Sequence, residues 1–312
     1  MKQVRTGSVT HSALGLGCAD FGTNIGGMQA FEMIDAFLAG GGTLLDTAAV
    51  YADWVPGAER SASEKCLGRY LKQAGVTRAV LATKGVHPGP DMISRVRPEL
   101  ILSDCAQSLE NLGVDTIDIY FLHRDDVSVP ANELMDALFR LQDEGAVRAI
   151  GVSNWTLARQ KEANDYAALC RRRGLDAVQQ RYAYLKKEYE EDKTIVAFDE
   201  DMDGPYTVGA EMTVFAFTAQ MKGFFDKRED GRLTDVMKKY YDTPANAPRI
   251  ARAAALSEKL GLSAQDLSLA ALLHRPWPVC ALAGCKNTEQ IAKSIRASEI
   301  ELSDADAEYL NI

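Results

Sequence analysis

Eight short apolar runs, each followed by a stretch with helical punctuation, recur from one end of the chain to the other, and this alternation limits the fold more than any other feature. The runs lie at 14–16, 43–46, 79–83, 117–122, 147–151, 177–179, 213–217 and 279–283. Helical stretches are expected at 29–40, 61–73, 97–112, 131–144, 156–173, 247–260 and 288–296. Serines and an acidic first turn open the second of these ("SASEK"), and Gly75, Gly113 and Gly145 stand just past helix ends. With 312 residues, 46% of them hydrophobic, the chain can bury a large core. No repeat, low-complexity stretch or linker-like break divides it. Strands alternating with helices eight times in an unbroken chain favour a single α/β domain over 1–312, a closed (β/α)8 TIM barrel rather than an open doubly wound sheet. Two segments fit less well: 186–211 is acidic without a helical stripe, and 232–248 reads as an extra loop and helix over one face of the barrel.

A net charge of −9 with no basic cluster longer than Arg171 to Arg173 speaks against a nucleic-acid surface. There is no signal-like N-terminus and no apolar run of membrane-spanning length, so a cytoplasmic location without a membrane partner is expected. Six cysteines are scattered without a C-x-x-C pair and the four histidines form no ligand-spaced pair, so no metal site is expected.

In a barrel of this kind, functional groups sit at the C-terminal ends of the strands. Asp46 ends the second apolar run, Lys84 the third and His123 the fourth, and Tyr51 lies on the loop after Asp46. Each has an ordinary alternative: a helix cap, a surface lysine, a structural histidine. Three titratable groups at three consecutive strand ends are harder to explain by packing, because burying such groups costs several kcal/mol unless they pair. A lysine beside a tyrosine lowers the phenol's pKa from about 10, and an aspartate holds the lysine in place. Such a pair is worth roughly 4 kcal/mol at about 4 Å before desolvation. Tyr51 is then expected to be a proton donor tuned toward neutral pH, with His123 stabilising an oxygen that gains negative charge.

These residues sit in "LLDTAAVY", "ATKG" and "FLHRDD"; with "LGLGCADFG", "GAVRAIGVSNW", "FAFTAQMKGFF" and "LAGCKNTEQIAKSI", in that order, the chain resembles the aldo-keto reductase superfamily over nearly its whole length. The resemblance implies a nicotinamide-binding barrel without a Rossmann fingerprint, reducing a small aldehyde or ketone. It gives Asp46, Tyr51, Lys84 and His123 the catalytic roles, assigns Ser153, Asn154 and Gln180 to the nicotinamide carboxamide, and places Phe217 where an aromatic ring stacks on the nicotinamide. Thr218 and Lys222 fall on the loop expected over the pyrophosphate. Gly284, Lys286, Gln290 and Ser294 fall at the adenosine end, where Gln290 and Ser294 depart from the usual arginine and asparagine. Lys286 and the following helix N-terminus favour NADP(H), with NAD(H) the alternative.

Trp54 and Trp155 follow the proton donor and Asn154, and are expected to wall a substrate, with a sugar-type carbonyl among the candidates. The rival reading is a cofactor-binding redox sensor of the same fold with little turnover. Oligomeric state is open.

Overall fold

The computed structural model describes residues 1–75, 79–89 and 92–311. An antiparallel hairpin, β1 (Gln3–Thr6) and β2 (Val9–Ser12), precedes the barrel. The barrel strands are β3 (Leu14–Gly17), β4 (Leu44–Asp46), β5 (Val80–Gly85), β6 (Ile117–Leu122), β7 (Val147–Ser153), β8 (Ala177–Arg181), β9 (Thr213–Phe217) and β10 (Val279–Ala283). Each lies parallel to the next and β10 closes on β3, giving the (β/α)8 barrel.

Helices occupy α1 (Gly27–Ala39), α2 (Ala62–Ala74), α3 (Pro98–Leu112), α4 (Ala131–Asp143), α5 (Leu157–Leu169), α6 (Asp203–Gly209), α7 (Phe224–Glu229), α8 (Asp235–Tyr241), α9 (Ala247–Leu260), α10 (Ala264–Leu273), α11 (Thr288–Ser298) and α12 (Asp304–Asn311). Their ends follow local chemistry. In α3, Pro98 takes the first turn, where a missing N–H costs nothing, and Gly113 ends the helix in the left-handed region at φ 67°. Thr156 caps α5 by accepting from Arg159 N at 3.3 Å. Among the described residues, no helix is long and apolar enough to cross a membrane.

Residues aligned by the strand register share a face, and this decides what enters the barrel. Asp46 aligns with Ala82 and Ile119; Lys84 aligns with Phe121, Gly151 and Ala177; Ser153 aligns with Gln179, Phe215 and Cys280. Phe121 and Phe215 meet edge to face at 5.1 Å and fill the centre. Gly151 makes room for the first ring, since a Cβ there would lie 2.5 Å from it. At the opposite end, His11 of the hairpin lies 5.3 Å from Phe215 and closes the barrel floor.

All eight apolar runs become barrel strands. Four continue past the expected limits, β3 to Gly17, β5 to Gly85, β7 to Ser153 and β8 to Arg181, because residues at the mouth still pair through their backbones whatever their side chains. The 186–211 stretch is a long loop ending in α6, and the insertion near Tyr240 holds α8. The hairpin, α7, α10 and α12 lie outside the expected elements.

Candidate active site

Strand direction and loop length bring four side chains to one mouth. Asp46 and Lys84 point inward from the ends of β4 and β5, and both are buried, 2% and 0% exposed. Lys84 Nζ donates to both oxygens of Asp46 at 2.9 Å and to Thr47 O at 2.7 Å. The loop after β4 turns at Ala48, whose carbonyl accepts from Tyr51 N at 3.0 Å, and brings Tyr51 over this ammonium, which lies 4.6 Å from the ring centroid. His123 follows β6, and its ring stands 5.8 Å from Tyr51. Sequence reasoning had grouped these four, and the structure brings them together.

The protonation states follow from this crowding. Burial pushes the Tyr51 phenol up; the charge of Lys84 pulls it down, Asp46 pushes it up again, and the net displacement is upward. That corrects the expected tuning toward neutrality: burial, with Asp46 behind it, outweighs the pull of Lys84, so the phenol stays protonated. Burial alone pushes Lys84 down, but Asp46 and Tyr51 more than offset it, and the ammonium is held charged above its ordinary range. His123 is driven well below the ordinary imidazole value by burial, then by Lys84, His87 and Arg124, so its ring is neutral. Its Nδ1 is buried with no partner among the described residues. The mouth therefore presents a neutral phenol over a buried cation beside a neutral imidazole.

Ser153 and Asn154 lie at the end of β7, 1% and 5% exposed, with Asn154 in the left-handed region at φ 61°. Asn154 Nδ2 donates to Ser153 Oγ at 3.0 Å and to His123 O at 3.3 Å, tying them to the tetrad. Gln180 is not with them. It aligns with Ala216 on the outer face of β8 and donates to Trp155 O at 2.6 Å, toward α5, whose Gln160 donates to the same carbonyl at 3.0 Å. The inward residue is Gln179, whose Nε2 donates to Asp46 Oδ1 at 2.9 Å. Two adjacent glutamines differ only in which face they take, and the inward run Ala177, Gln179, Arg181 was the available signal.

Trp155 also departs from expectation. The left-handed turn at Asn154 sends its side chain under the mouth, where it is fully buried, donates from Nε1 to Arg124 O at 3.2 Å and lies 5.1 Å from the Arg159 guanidinium. It cannot wall a substrate. Trp54, 55% exposed and 5.9 Å edge to face from Tyr51, stands at the rim. Sequence reasoning passed over His87, whose ring stacks edgewise on His123 at 4.7 Å.

A sequence model of the aldo/keto reductase family matches residues 13–312. The chain belongs to that family. Aldo-keto reductase str7 of Strobilurus tenacellus is 28% identical to it over 285 residues, covering 88% of this chain and 78% of that protein. Norsolorinic acid reductase stcV of Emericella nidulans is 26% identical over 287 residues, covering 88% and 69%. As an aldo/keto reductase the chain is an oxidoreductase of small carbonyl compounds, in a family that generally uses NAD(P)H.

The rest of the mouth fits such a cofactor. Phe217, half-buried at the end of β9, presents a ring beside the Arg181 guanidinium at 5.6 Å. The next loop holds Thr218, Met221 and Lys222 in the left-handed region before Gly223, a strained path for side-chain-bearing residues. Gly284 is exposed, and a Cβ there would meet nothing within 4 Å. Behind it, Asn287 caps α11 by accepting from Gln290 N at 2.9 Å, while Gln290 Oε1 accepts from Lys286 N at 2.8 Å. Gln290 is thus occupied in the cap. Ser294, 3% exposed, accepts from Gln220 Nε2 at 2.8 Å and joins α11 to the loop after β9 rather than lining a surface. The Lys286 and Lys222 side chains are exposed.

Proposed function

We propose that this reductase converts an aldehyde or ketone to the alcohol with a hydride from NAD(P)H, Tyr51 giving the proton to the carbonyl oxygen. The observation that carries the reading is the Lys84 ammonium, clamped by both oxygens of Asp46 at 2.9 Å and lying 4.6 Å under the Tyr51 ring. When bound, the reduced nicotinamide supplies the hydride. Everything else is work for the protein. Lys84 offsets the charge that grows on the phenol oxygen as its proton leaves, and Asp46 with Thr47 O keeps that ammonium from swinging away. His123, neutral, has a hydrogen-bond donor for the carbonyl oxygen without competing as an acid. Ser153, Asn154, Phe217 and the loop from Thr218 to Lys222 are the residues we assign to the cofactor's nicotinamide and pyrophosphate, and Gly284 with the α11 N-terminus to its adenosine end. Lys286 supports NADP(H) over NAD(H), because a lysine flanking a helix N-terminus favours an added phosphate.

The substrate is a small polar carbonyl compound. Trp54 remains as a rim aromatic suited to a sugar-type carbonyl, although Trp155 no longer contributes a second wall. Six unpaired cysteines, five of them buried, fit the reducing cytoplasm.

The test follows NADPH and NADH absorbance separately over a panel of aldehydes, ketones and oxidised sugars. Tyr51→Phe should lower kcat/KM by about 10²- to 10⁴-fold, the usual contribution of a positioned general acid. A variant as fast as the parent would remove Tyr51 from this role, and a single stoichiometric oxidation of bound cofactor would favour a redox sensor over an enzyme.

A further inference from the structure

Arg124, one residue beyond His123, was left without a part in the reaction. Its side chain is 12% exposed and its guanidinium donates from Nη1 to His123 O at 2.9 Å and from Nε to Thr194 Oγ1 at 3.0 Å. The remaining contact is a stretched one, Nη2 to Asp192 Oδ2 at 3.4 Å. Asp192 is 41% exposed, and its other oxygen is already held by Thr194 N at 2.9 Å and Thr194 Oγ1 at 2.6 Å. An ion pair this exposed is weak and easily exchanged. Around the His123 ring stand Tyr51 at 5.8 Å, His87 at 4.7 Å and this arginine on its backbone carbonyl. The charge of Arg124 also acts on the Tyr51 phenol. A permanent cation with a planar fork of donors, already holding a carboxylate loosely, therefore lies against the backbone of His123, beside the Tyr51 and His123 pair.

We propose that Arg124 is a substrate-positioning residue and that the preferred substrates carry a carboxylate beside the reactive carbonyl, as keto acids and acid aldehydes do. In the free protein the carboxylate of Asp192 holds the place of the substrate's acid group. On binding, the substrate acid takes the Nη edge of Arg124, and Asp192 stays with Thr194 and solvent. The acid group takes no part in the transfer; it fixes which way the carbonyl faces Tyr51 and His123. This inference rests on the proposed carbonyl reduction and adds the substrate's charge to it.

The three carboxybenzaldehyde isomers and their methyl esters make matched probes, differing in charge and covering a range of spacings, with benzaldehyde as the uncharged reference. The parent protein should use at least one acid with a kcat/KM tenfold or more above its ester. That ratio should collapse in Arg124→Leu, mainly through KM, and return in part in Arg124→Lys. Asp192→Asn, which leaves the arginine in place, should raise the ratio by removing the internal competitor. Esters used as well as acids by the parent, or an Arg124→Leu loss equal for acid and ester, would overturn the assignment while leaving the reductase reading intact. An unchanged ratio in Asp192→Asn would overturn it even if Arg124→Leu failed to fold. No turnover of these probes while other carbonyl compounds of the panel are reduced would overturn this assignment alone, and no turnover of any carbonyl compound would overturn the reductase reading and this one with it.

Discussion

At the residue scale the Asp46–Lys84 pair bears on stability and on the proposed chemistry. Two charges at 0% and 2% exposure are tolerable only together, since each alone would be an uncompensated ion in a poorly solvated space. Asp46→Leu is expected to destabilise the fold by about 3–5 kcal/mol in denaturant unfolding, the usual cost of orphaning one member of a buried pair. The double variant Asp46→Leu with Lys84→Met should recover most of that loss while remaining inactive. A double variant as unstable as the single one would show that packing, not charge, sets the cost. This pair was legible because charged residues at the ends of apolar strands have few packing explanations. The parity of Gln179 and Gln180 was not, because two identical neighbours give no pattern, and only the pairing of β8 with β7 and β9 assigns their faces. Trp155 misled for a related reason. Its neighbour Asn154 does reach the mouth, but the left-handed turn between them reverses the direction of the next side chain.

At the scale of elements, legibility followed amphipathicity. Helices α2, α4 and α11 each bury one face and expose the other, and all three were expected from sequence. Helix α10 was not, because its last seven residues, from Leu267 to Leu273, are all buried, which leaves no polar stripe for a periodic reading to find. The four-residue strands of the hairpin are too short to show a convincing alternation. The proposed preference for NADP(H) also rests on an element, the capped N-terminus of α11, beside which Lys286 is exposed. Lys286→Ala is expected to raise the KM for NADPH by roughly tenfold, the worth of one solvent-screened charge contact to a phosphate, and that for NADH by much less. Steady-state titration of each cofactor at fixed substrate reads this directly, and equal effects would remove the reason for preferring NADP(H).

Across the whole molecule the two ends of the barrel divide the labour. The mouth holds charged and strained groups, while the floor is closed by the hairpin and by His11, which is fully buried against Phe215. Ser12 O can only accept, so His11 Nδ1 carries the proton in their 2.9 Å contact, and Nε2 accepts from Thr6 Oγ1 at 2.9 Å. The neutral ring is satisfied and the charged ring is not, and burial lowers the His11 pKa to about 4, with the bond to Ser12 raising it only in part. A base whose native pKa lies below its unfolded value of 6.5 binds fewer protons folded than unfolded between those limits. Unfolding then takes up a proton, and stability falls as the pH is lowered from about 6.5 toward 4, at up to about 1.4 kcal/mol per pH unit and about 3 kcal/mol in all. Glu64 and Asp176, whose carboxyls burial raises, act in the opposite direction nearer their own range, and His123 acts in the same direction as His11. A difference measurement isolates the floor from these. Denaturant unfolding of the parent and of His11→Asn, each from pH 7.5 to 4.5, should give a parent advantage that is constant above about pH 7 and shrinks steadily below 6.5. A difference that stayed flat across that range would mean that His11 is not held neutral, and that the hairpin closes the barrel by packing alone.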